Sequence, residues 1–171
     1  MLQVRPDRRV HRGRSLEREG EIVDCAVLGV PHSGLSEGLR GLLATRFDGV
    51  LLVADEPSLL ACLDAVRPVL LVLDLDLVPG KGLALTARVR TSHRGLRILL
   101  LVADDDPGVA TAAEDAGADG CLLKETLGAD LLAAVDAVLA GGTAFWSVAG
   151  SAFPERPEPA LSPVDERKGA R

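Results

Sequence analysis

The feature that most constrains this chain is a rhythm. Between roughly residues 23 and 141, short runs that are apolar at consecutive positions alternate with longer stretches whose apolar residues recur at helical spacing. The runs are Cys25–Val30, Val50–Val53, Val69–Leu73, Ile98–Val102 and Gly120–Leu123. Successive side chains of a strand point to opposite sides, so a strand apolar throughout has both faces buried. Such strands alternating with helices form a parallel sheet covered on both sides. Right-handed crossovers then distribute the helices over the two faces. The expected fold is α/β, a doubly wound five-stranded parallel sheet of (βα)5 type.

Helix boundaries follow from punctuation. Leu35, Leu39, Leu42 and Leu43 mark a first helix within 33–46. Pro57 opens a second, with Leu59, Leu60, Leu63 and Val66 facing inward, and Pro68 ends it. Pro79-Gly80 is a turn before a third helix over 82–91. Pro107 opens a fourth helix that stops near Gly117, and a fifth over 126–140 is closed by Gly141-Gly142. Outside this rhythm the chain is polar or rich in proline. Residues 1–22 carry Arg5, Arg8, Arg9, Arg12 and Arg14, and residues 143–171 carry Pro154, Pro157, Pro159 and Pro163. Both are expected to be disordered tails around one domain at 23–142.

Composition removes several function classes. Aromatic residues make up 2% of the chain and the net charge is −6, which argues against base stacking and against general binding to a phosphate backbone. Cys25, Cys62 and Cys121 lie far apart, each among apolar residues, with no metal-ligand spacing. They are expected to be buried, reduced thiols, as suits a cytoplasmic protein. No apolar run reaches the ~18 residues that span a bilayer, so no membrane role is expected.

In a doubly wound sheet, function lies beyond the carboxyl ends of the strands. That directs attention to Gly29–His32, Ala54-Asp55, Asp74–Asp76, Val102–Asp106 and Lys124. Asp74 follows the most hydrophobic run in the chain. Within the strand a carboxylate is costly to bury, whereas at its end it faces a polar rim. Lys124 ends the fifth run in the same way. The two ends lie close in such a sheet, so the Lys124 ammonium is placed to pair with Asp74 or with an anion carried on it. The plainer alternative is that both residues simply terminate strands. His32, near the same rim, reads as a helix-start or surface residue.

Three groups of residues then match a known family. They are Glu37-Gly38-Leu39-Arg40-Gly41-Leu42-Leu43; Arg67-Pro68 with Leu73-Asp74-Leu75; and Gly117-Ala118-Asp119-Gly120 with Leu122-Leu123-Lys124. With these motifs, residues 23–142 resemble a response-regulator receiver domain, of flavodoxin-like or CheY-like fold. The resemblance implies that Asp74 accepts a phosphoryl group from a sensor histidine kinase and that Lys124 contacts that group. It also exposes departures. The family's acidic pair, which holds Mg²⁺, is replaced by Val30 and Pro31. Its hydroxyl residue after the fourth strand is Val102, and its aromatic switch is Cys121. Mg²⁺ is left with Asp74 and the backbone carbonyl of Asp76, a weak site for a cation that demands near-octahedral oxygen ligands. Asp104 and Asp105, weighed as substitutes, read as solvated loop residues. Leu161–Arg167 is similar to the opening of the LuxR/NarL-type helix-turn-helix output domain, and DNA binding by this chain alone is not expected.

The expected function is a degenerate receiver-like module of a two-component phosphorelay. It is not an enzyme, and it acts through contacts with a sensor kinase or another regulator protein. The alternative is a working regulator phosphorylated at Asp74. A remote alternative is a haloacid-dehalogenase-like phosphatase, whose nucleophile motif Leu73–Val78 also resembles. That family has its lysine before a later acidic pair, whereas Lys124 follows Asp104-Asp105-Asp106, and Asp74 ends the third strand rather than the first. Finally, Leu131, Leu132, Val135, Val138 and Leu139 exceed what one core-facing stripe of the fifth helix needs, which suggests a covered face and a homodimer through residues 107–140.

Overall fold

A computed structural model describes residues 16–18, 21–31 and 33–146. Two short strands, β1 (Leu16–Arg18) and β2 (Glu21–Val23), pair antiparallel. The main domain follows as β3 (Cys25–Gly29), α1 (Ser33–Leu43), β4 (Gly49–Val53), α2 (Glu56–Val66), β5 (Leu70–Asp74), α3 (Gly82–Ser92), β6 (Arg97–Val102), α4 (Pro107–Asp115), β7 (Gly120–Leu123), α5 (Leu127–Leu139) and β8 (Ala144–Phe145). One-turn 3-10 helices at Leu75–Leu77 and Lys124–Thr126 follow β5 and β7. The sheet has six parallel strands in the order β4-β3-β5-β6-β7-β8. From β3 the chain turns outward to β4 and then returns to the other side at β5. The strand order therefore reverses between β3 and β5, and a crevice opens at their carboxyl ends.

The apolar runs behave as their composition requires. Every residue of β3 and β5 is buried, and β6 is buried from Ile98 onward. Alternate residues feed two cores. Leu28, Val72, Leu99 and Leu101 pack on one face with Leu39 and Leu43 of α1 and Leu131 and Val135 of α5. Val27, Leu71, Leu73, Ile98 and Leu100 pack on the other with α2, α3 and α4 through Leu59, Leu85 and Ala113. Each fully buried aliphatic side chain contributes about 1.5–3 kcal/mol, so these cores are the main source of stability.

Local signals set the joints. Asp55 caps α2, its carboxylate accepting the Ser58 N–H at 2.8 Å, and that bond holds its pKa below the ordinary value. Asp106 caps α4 through the Gly108 N–H at 2.8 Å. Arg67 closes α2 in the left-handed region, at φ 50, and Pro68 prevents the helix from continuing. Arg90 braces the β6–β7 end of the sheet. Its guanidinium donates to the carbonyls of Gly117 and Leu96, at 2.7 Å each, and to Asp119 at 2.6 Å.

The structure departs from the sequence expectations in two places. The sheet has a sixth strand, because residues 144–145, assigned to the C-terminal tail, pair with β7. Strand β1 falls within residues 1–22, assigned to the N-terminal tail. The long apolar side chains of the fifth helix go largely into the core. Leu131, Val135 and Val138 are buried and Leu132 and Leu139 half-buried, so its exposed positions are Gly128, Ala129, Ala133, Asp136 and Ala140. The periodicity was too rich for one stripe because α5 packs against β6, β7 and β8 together. The five arginines of residues 1–15 and the helix-turn-helix-like stretch 161–167 lie outside the described residues. Among the described residues, no helix is long and apolar enough to cross a membrane.

Candidate functional site

Asp74 is the last residue of β5, and Lys124 is the first after β7. Asp74 leaves the strand at φ −72, ψ 125, and its own Oδ1 accepts the Asp76 N–H at 2.9 Å, capping the turn at 75–77. The Lys124 Nζ reaches the same oxygen at 2.8 Å and Asp76 Oδ2 at 2.7 Å. The expected pairing of the two strand ends is therefore present, and it includes a third residue. The sequence pointed only to the Asp76 carbonyl. The 3-10 turn swings the Asp76 carboxylate back onto the lysine, and a spacing of two residues on an assumed extended chain gives no hint of that.

Asp74 is 1% exposed, and its second oxygen, Oδ2, is buried without a hydrogen-bond partner. An unpaired buried carboxylate oxygen carries a desolvation cost, and the lysine is the cation that offsets it. Burial acts to lower the Lys124 pKa, but Asp74 and Asp76 outweigh it and hold the pKa above the ordinary value.

The other family positions carry no carboxylate and no hydroxyl. Gly29 stands in register with Leu73, which puts Val30 at the level of Asp74. Val30 is buried and its N–H is bonded to Val53; Pro31 is half-buried beside it. Val102 is buried, in register with Leu123. Cys121 is fully buried, and burial pushes its thiol up to about 12 against a smaller opposing effect of Trp146. Cys25 is buried and Cys62 half-buried, both thiols pushed up by burial, so none is an activated nucleophile. Asp104 and Asp105 are exposed, and His32 lies outside the described residues.

These residues do not fit Mg²⁺. Val30 and Pro31 offer no side-chain oxygen. Asp74 Oδ1 and the Asp76 carboxylate already face an ammonium, which repels a cation. Among the described residues no group of three or more His, Cys, Asp or Glu side chains is arranged to hold a metal. The site holds one buried carboxylate and one exposed carboxylate bridged by a single lysine.

Comparison with known proteins agrees with the fold and the motifs. The family description "Response regulator receiver domain" matches residues 32–136. The chain is 36% identical over 114 residues to the transcriptional activator protein ExaE of Pseudomonas putida, covering 67% of this chain and 50% of that protein. It thus spans about half the length of the curated relative it matches. Among solved structures, a LuxR-family two-component response regulator from Aurantimonas sp. SI85-9A1 superposes with a TM-score of 0.65 at 26% identity, over 74% of this chain and 91% of that one. The isolated REC domain of RcsB from Salmonella enterica serovar Typhimurium, in the apo form, does so with a TM-score of 0.65 at 23% identity, over 72% and 93%. With the (βα)5 core, Asp74 and Lys124 paired across the end of β6 and a family match across most of the domain, this chain belongs to the response regulator receiver family.

Proposed function

We propose that this receiver domain has left metal-dependent phosphorylation control and signals through contacts with another protein, either a sensor kinase or a second regulator. The observation that carries the reading is the Lys124 bridge between Asp74 and Asp76 on a rim otherwise walled by Val30 and Val102. Phosphoryl transfer to a carboxylate brings negative centres together, and a divalent cation normally neutralises them. Here one ammonium already serves two carboxylates, and Val30 and Pro31 offer no side-chain oxygen. The domain is a signalling module, so no turnover of an aryl phosphate is expected.

One observation favours the alternative reading, a working phosphoacceptor. Asp74 Oδ2 has no partner, and a nucleophilic oxygen must be free. Acetyl phosphate labelling read on a Phos-tag gel separates the two. The first reading expects no Mg²⁺-dependent shift in the natural chain. It expects one to appear in Val30→Asp with Pro31→Asp. A Mg²⁺-dependent shift in the natural chain that disappears in Asp74→Asn would establish the phosphoacceptor reading instead. Partner contact is tested by pull-down with the cognate kinase, comparing the natural chain with Ala133→Glu plus Ala137→Glu on α5. Unchanged capture removes the 107–140 face from the account.

A further inference from the structure

Strand β8 is a built part of the sheet. The Ala144 N–H donates to the Asp119 carbonyl at 2.9 Å and the Trp146 N–H to the Cys121 carbonyl at 3.1 Å. Between these bonds, Gly120 stands opposite Ala144 and Cys121 opposite Phe145. Ala144 is fully buried in the core shared with α5. The neighbouring strand is shaped to receive it. A Cβ at Gly120 would lie 2.5 Å from the Ala144 carbonyl oxygen and 2.6 Å from a Leu99 methyl. Only glycine allows β8 to approach this closely.

The side chain that β8 delivers is Trp146. It packs with Val109, Leu123 and Phe145 against the cluster that contains Val102 and Cys121. Its indole Nε1 is buried and makes no hydrogen bond of normal geometry. Cys121 belongs to the same cluster, and Trp146 acts on its buried thiol against the effect of burial. Cysteine is small, and a bulky residue at 121 would need the space beside the indole. An indole at 146 and a large side chain at 121 are therefore alternatives.

We propose that β8 is a latch: Trp146 takes the place beside position 121, its docking closes the β7 edge, and docking and release of the indole act on β7, the strand that leads into Lys124. Release of the indole acts on β7 three residues from the lysine that holds Asp74. The inference rests on the packing of β8 and stands whether or not Asp74 accepts a phosphoryl group.

Trp146 is the sole tryptophan of the chain, so acrylamide quenching of the full-length protein reads the latch directly. A docked indole is shielded, and its quenching should be clearly weaker than in the urea-unfolded chain. Cys121→Tyr should evict it and bring quenching close to the unfolded value while the far-UV circular dichroism stays native. Cys121→Ser keeps the volume and should leave the indole shielded. If Cys121→Tyr does not fold, Ala144→Pro decides. It removes the hydrogen bond to Asp119, which shifts the docked-to-undocked ratio about 5-fold, and quenching should rise. Quenching in the natural chain as strong as in urea overturns the latch, as does unchanged quenching in folded Cys121→Tyr or in Ala144→Pro. Release of the indole by Cys121→Ser would overturn the size argument.

Discussion

Replacing Lys124 by Met isolates the ion pair at the strand ends. The substitution keeps a flexible stem of similar length and deletes only the ammonium. It leaves Asp74, 1% exposed, with a single backbone donor for two carboxylate oxygens. Removing one partner of a buried pair costs about 3–5 kcal/mol. The Lys124 side chain is 22% exposed, so water repays part of that, and a cost of about 3 kcal/mol at the low end of the range is expected. The second half of the experiment is Asp74→Leu combined with Lys124→Met. Val30, Val102 and the β5–β6 leucines already line the pocket, and an apolar pair should fit there. The double variant is therefore expected within about 1 kcal/mol of the natural chain, because apolar replacement of a buried pair is often neutral. The coupling energy should then be at least about 2 kcal/mol. Urea unfolding followed by circular dichroism at neutral pH measures all four species. If Lys124→Met costs less than about 0.5 kcal/mol, the range of a plain surface substitution, the pair does not stabilise the site. Purely additive single costs would refute the coupling.

Four further outcomes are expected. The stability supplied by Lys124 is present below the ordinary lysine value of 10.5, because its folded pKa is raised, and it is lost as pH climbs through that higher folded value; a gap between the natural chain and Lys124→Met that is constant through strongly alkaline pH would contradict this. Asp24 is held above the ordinary 3.8 by burial and then by Asp48, so its ionisation opposes folding at neutral pH; Asp24→Asn should raise the urea midpoint at pH 7, and the gain should vanish as pH falls below 3.8. Arg90→Lys should lose most of what Arg90→Ala loses, about 2–3 kcal/mol in urea unfolding, because a point charge cannot replace a fork bonded to three carbonyls and Asp119. Gly82→Ala would place a Cβ 2.7 Å from the Leu75 carbonyl oxygen; overpacking of this kind costs about 1–3 kcal/mol, and it should appear both in the unfolding midpoint and as NMR shifts at Asp74 and Asp76.

Much of this was legible in the sequence, and the limits have physical causes. Runs such as Val69–Leu73 could only be strands buried on both faces, so layer order and strand ends followed. Asp74 and Lys124 stood out because each is a charge at the end of an apolar run. Three features were not legible. The role of the Asp76 carboxylate depends on a 3-10 turn that Asp74 itself caps. Strand β8 is two residues long, too short for any periodicity, and its one trace is Gly120, a glycine inside a strand where another backbone passes. Part of the apolar circumference of α5 serves a third partner within the domain, that unforeseen strand.

In the proposed reading, Lys124 rather than a bound cation neutralises Asp74. Calorimetric titration with Mg²⁺ tests it most directly, on the natural chain and on Val30→Asp with Pro31→Asp. No resolvable sub-millimolar binding is expected for the natural chain, and measurable binding is expected once the two carboxylates are installed. Sub-millimolar binding by the natural chain that disappears in Asp74→Asn would contradict it.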